Sequence, residues 1–72
     1  MTRTSRVHGF TVQCSARPLE APYFEVSWQA VREQEILKGE TYICRAGSEE
    51  EAEDAVANRA KWIVGLHLSR GL

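Results

Sequence analysis

Residues 47–64 read GSEEEAEDAVANRAKWIV, and this stretch decides the fold class. Ser48, with Glu51 three residues on, makes a capping box. The hydroxyl takes an orphan amide of the first turn, and the carboxylate reaches back to another. Glu49, Glu50, Glu51, Glu53 and Asp54 place negative charge at the positive end of a helix dipole. The run is rich in Ala and Glu and holds no proline, so it predicts a helix from Glu49 onward. Ala52, Val56, Ala60 and Ile63 share one face, the stripe that packs on a sheet. Residues 62–68 are apolar nearly all round. We read the helix as continuing through Gly65 to Ser69, with Arg70 near its negative end and Gly71 as C-cap. The alternative is a break at Gly65 and a short strand over 66–68.

Upstream, the period changes from helical to two. In residues 9–16, Phe10, Val12, Cys14 and Ala16 alternate with Thr11, Gln13 and Ser15, the mark of a half-buried strand. Pro18 and Pro22 end it. In residues 23–31, Phe24, Val26, Trp28 and Ala30 alternate with Tyr23, Glu25, Ser27 and Gln29, and the aromatic and β-branched content supports a second strand. Lys38-Gly39 signals a turn, with Gly39 free to take positive φ. Residues 40–46 form a third strand whose inward face is ambiguous: Tyr42, Cys44 and Ala46 on one side, Ile43 on the other. The expected fold is α+β. A three-stranded antiparallel sheet in the order β-β-β-α packs against one C-terminal helix. Residues 1–8 are expected to be a flexible basic arm, and 9–72 a single domain.

With 72 residues, the chain is one domain. At this size folding buries only about 60% of the unfolded surface, so such cores are often completed by a disulfide, a metal or a second subunit. Cys14 and Cys44 both lie in strand-like segments. No apolar region follows the basic start, so no export signal is expected. The expected setting is the reducing cytoplasm, with both thiols free; a disulfide is the alternative if the two strands are neighbours. No apolar run nears the ~20 residues a membrane span needs. His8, His67 and the cysteines lack the close spacing of a zinc site, and no phosphate loop or nucleophile elbow is present. No cofactor and no enzyme activity are expected.

Net charge is −1, which excludes a globally basic nucleic-acid binder. The charge is nevertheless segregated. Residues 49–54 hold five acids and no base, whereas 55–72 hold Arg59, Lys61 and Arg70 and no acid. Placed at 100° steps, Trp62 and Leu68 point well away from the stripe, so one small sheet leaves apolar helix surface uncovered. An exposed apolar patch containing Trp marks an interface. The expected function is therefore a small non-catalytic protein that docks on another protein, as an inhibitor, antitoxin or adaptor does, with a second copy of itself, as a homodimer, the other candidate partner. Trp62, Leu66 and Leu68 would anchor, and Glu50, Glu51 and Asp54 would steer. The alternative is a single-stranded nucleic-acid module that stacks bases on Tyr23 and Tyr42 and uses Arg3, Arg6 and Arg17 for phosphate.

Gly39, the strand after it and residues 48–57 (SEEEAEDAVA) resemble the last strand and final helix of double-stranded-RNA-binding domains. Where that family offers lysines to phosphate, this chain carries Glu50, Glu51 and Glu53. The same region is similar to HicB-type antitoxins, in which a short sheet precedes an acidic-capped helix. Both resemblances cover roughly the last half of the chain and rest on a generic strand-turn-helix pattern.

Overall fold

The computed structural model describes residues 2–37 and 39–70. Strands β1 (Thr2–Val7), β2 (Phe10–Pro18), β3 (Tyr23–Arg32), β4 (Glu35–Leu37) and β5 (Thr41–Arg45) precede a single helix, α1 (Glu49–Arg70). All pairings are antiparallel: β1 with β2, β2 with β3, and both β4 and β5 with β3. The architecture is the expected α+β sheet-and-helix, with five strands in place of three. No described helix is long and apolar enough to cross a membrane.

Residues 2–7 form an edge strand where a loose arm was expected, paired to β2 from Thr2↔Ser15 to Val7↔Phe10. His8 and Gly9 join the two strands, both at positive φ (50° and 86°), which is the backbone a two-residue hairpin turn requires. The sequence hides β1 because its inward row is Arg3, Ser5 and Val7, with one apolar member.

The second correction concerns residues 35–45. Ala30 pairs with Leu37, but Ser27 pairs with Thr41. Two residues of β3 therefore face three of the edge, and β4 and β5 are one edge strand interrupted by an extra residue. The extra residue flips the side-chain parity, so Ile36 and Ile43, seven apart, reach the same face. Gly39 is needed here for closeness and not for positive φ. A Cβ on it would lie 1.5 Å from the Trp28 carbonyl oxygen. The amide of Trp28 donates to the Glu40 carbonyl across the interruption at 3.1 Å.

One sheet face is covered by α1. Phe10, Val12, Cys14 and Ala16 of β2, together with Val26, Trp28 and Ala30 of β3, meet Ala52, Val56, Ala60 and Val64 of the helix in a single core. The helical stripe thus runs on to Val64, with Ile63 half-buried on its shoulder. Each fully buried Val or Phe side chain contributes about 1.5–3 kcal/mol. The helix runs unbroken through Gly65. Its expected cap, Gly71, lies outside the described residues, as does Lys38.

Candidate interaction surface

The helix start has the expected Ser48 cap, with the Glu51 carboxylate reaching one residue further back than a capping box requires. The Glu51 amide donates to Ser48 Oγ at 3.1 Å, and the Glu51 carboxylate accepts the Gly47 amide at 2.8 Å. Asp54 accepts from Arg3 at 2.7 Å. Glu53 is buried, with Oε1 3.5 Å from Arg3 and no hydrogen-bond partner for Oε2 among the described residues. Of the three acids expected to steer a partner, Glu51 caps the helix and Asp54 ties it to β1, while Glu50 is exposed.

Eight residues after Asp54, about 12 Å along the axis, Trp62 stands on the outer side of α1 at 57% exposure. Leu66 follows one turn later and is half-buried. Trp62 is not loose. The Arg59 guanidinium lies 5.5 Å from its ring centroid, a cation–π distance. Arg59 is itself fixed by a bidentate pair with Glu40, at 2.9 and 3.0 Å. Glu40 also accepts the indole N–H of buried Trp28 at 3.1 Å. Arg59, and after it Trp28, hold the Glu40 carboxyl well below its usual range, at about 2. A continuous chain from Trp28 through Glu40 and Arg59 thus connects the core to the exposed indole.

Leu68 departs from its expected place. It turns to the other flank of α1 and packs against the core, so it does not adjoin Trp62. His67 donates to Glu35 at 2.9 Å and meets Phe10 edge-on, locking the helix end to β4. His67, and then Arg32, hold the Glu35 carboxyl below its ordinary value.

The residues of the nucleic-acid alternative divide between the two faces. Tyr23 lies on the open face of the sheet, away from α1, at 46% exposure. Tyr42 faces the helix side and packs against the core, where burial pushes its hydroxyl pKa up. Arg3 is held by Asp54 and Glu53 on the helix side. Arg6 and Arg17 are on the open face, Arg17 bound to Glu25 at 3.0 Å.

Cys14 is buried on β2, and burial raises its thiol pKa. Cys44 sits on β5, on the far side of β3, and both thiols are free. No group of three or more His, Cys, Asp or Glu side chains among the described residues is arranged to hold a metal. Sequence reasoning missed two exposed apolar residues of the open face, Ile36 at 69% and Ile43 at 65%. Their alternation is intact within each short strand, but the extra residue between the strands conceals their common face. Arg59, which orients the indole, was also missed; its i, i+3 spacing to Trp62 is the signal that could have found it. Comparison of the chain with known protein families, with curated proteins and with solved structures finds no match.

Proposed function

We propose that this chain is a small non-catalytic binding protein that docks on another protein through the outer face of α1. One observation carries the reading: a tryptophan stands largely exposed on a helix while its neighbours hold it in place. Exposed indoles are the residues most often found at the energetic centre of an interface. Fixing the ring in advance reduces the ordering cost of association. Leu66 widens the apolar contact, and Glu50 supplies unengaged charge for steering. The two free thiols fit a reducing, cytoplasmic setting. A non-catalytic role is supported by the burial of Cys14 and by the engagement of His67 with Glu35. Inhibitors, antitoxins and adaptors all act by docking of this kind.

The test is capture from an extract of the source cells, quantified for each protein that the wild-type chain retains. Trp62→Ala and Leu66→Ala should lose the partner, with roughly 30-fold weaker binding for the indole if it is worth about 2 kcal/mol. Ile43→Ala, on the opposite side of the molecule, should retain it. Equal retention by all three variants would refute the reading. So would a fall in thermal midpoint for Trp62→Ala as large as a core truncation causes. Binding to an oligonucleotide that weakens steeply with salt would instead support the open sheet face.

A further inference from the structure

We infer that β1 pairs with β1 of a second copy of this chain, antiparallel about a two-fold axis at Thr4, so that two five-stranded sheets join into one. This goes beyond the docking reading and does not rest on it.

The two edges of the sheet differ. The β4–β5 edge is broken: β4 has three residues, and the extra residue after it interrupts the row of free backbone groups. Short strands and bulges are common means of keeping an edge from pairing. β1 has neither. It is six residues long, TRTSRV, paired without interruption to β2 and free on its other side. It contains no proline or glycine, and Thr2, Thr4 and Val7 are β-branched. Inward-pointing charge guards many edges, but Arg3 is drawn back onto α1 by Asp54 at 2.7 Å.

The hairpin sets which groups are free. Its two-residue turn at His8-Gly9 makes Val7↔Phe10 a hydrogen-bonded pair, and alternation makes Ser5↔Val12 and Arg3↔Cys14 hydrogen-bonded as well. The backbone N–H and C=O of Thr2, Thr4 and Arg6 therefore point outward, away from β2. An antiparallel copy must meet these groups with its own, and one register engages all of them. It sets Thr2 opposite Arg6 of the second copy, Thr4 opposite Thr4, and Arg6 opposite Thr2. A shift of two residues either way leaves one of the three unpaired. In the full register Arg3 stands opposite Ser5, so no like charges face each other. The central pair is Thr on Thr, a favourable cross-strand match.

The same strand serves both partners, so the contact closes at two copies. Further growth would need the opposite edge, which is interrupted. Nor does α1 obstruct the pairing. It stands over β2 and β3, so four strand spacings, about 19 Å, separate the two helices, against a helix diameter of about 10–12 Å.

The experiment is light scattering of the intact chain from micromolar to millimolar concentration, with amide hydrogen exchange read by NMR on the same samples. The mass should rise from 8.1 kDa to twice that value. In dilute solution the Thr4 and Arg6 amides should exchange fast while those of Ser5 and Val7 are protected. In concentrated solution Thr4 and Arg6 should slow by about tenfold or more. Thr4→Pro removes an outward N–H that β2 does not use, a change an edge strand tolerates, and should stay at 8.1 kDa. A wild-type chain that stays at 8.1 kDa throughout overturns the inference. So does a dimer in which the Thr4 and Arg6 amides still exchange fast, because another surface then holds it. Dimerisation of folded Thr4→Pro at the wild-type concentration overturns it too; if that variant does not fold, exchange in the wild type decides. Trp62→Ala should dimerise as the wild type does while losing its captured protein, so the pairing and the docking reading fail separately.

Discussion

Replacing Gly65 by alanine should stabilise the isolated chain. Ala is favoured over Gly by about 0.8–1 kcal/mol per helix-interior position. The new methyl meets nothing within 4 Å, so no steric cost offsets the gain. For a domain of this size, about 1 kcal/mol moves the thermal midpoint by roughly 4–8 °C. The total stability expected at ~0.05–0.15 kcal/mol per residue is only about 4–11 kcal/mol, so the change is a sizeable part of it. The measurement is thermal unfolding followed by far-ultraviolet circular dichroism at the lowest workable concentration, where association contributes nothing. An unchanged or lower midpoint for Gly65→Ala in dilute solution would refute this reasoning, because it would mean that Gly65 serves a purpose inside its own chain.

Gly39→Ala should behave oppositely. Its Cβ would fall 1.5 Å from the Trp28 carbonyl oxygen, forcing the edge strand off β3 with a loss of about 2–4 kcal/mol, readable by urea unfolding. Ser48→Ala removes the acceptor of the Glu51 amide and should cost about 1 kcal/mol in the same assay. Acid should weaken the fold partly through Glu40. Its carboxyl, ordinarily at 4.5, is held at about 2, so its contribution is complete above 4.5 and is lost as pH falls towards 2. Glu40→Gln should therefore show a flatter decline across that window. Some decline should persist, because Glu35 is also held low by His67 and Arg32.

Much of this architecture is readable from local pattern. Period two in residues 10–16 and 23–31, the cap at Ser48 and the stripe Ala52–Val56–Ala60 are each set by neighbours a few residues away. The α+β class follows from them. The prediction that Trp62 lies off the stripe is helical geometry alone, and the structure places it exposed. What pattern could not supply depended on contacts distant in the chain. Residues 2–7 become a strand only because β2 offers its free edge, and their inward Arg3 finds Asp54, 51 residues away. Tyr42 and Ile43 could not be assigned to faces until the extra residue opposite Trp28 and Gln29 set the register. Leu68, drawn outward on a helical projection, turns inward because the core extends beneath that flank of α1.

By itself, then, the sequence determined a capped C-terminal helix over alternating strands, with an indole outside the buried stripe. Those features depend on backbone period and capping, which act within a turn or two. Tertiary structure alone decided the edge strand, the shifted parity of residues 35–45, and the chain of contacts from Trp28 through Glu40 and Arg59 that holds Trp62 in place. Each of these joins groups far apart in sequence, and only the folded sheet brings them within reach.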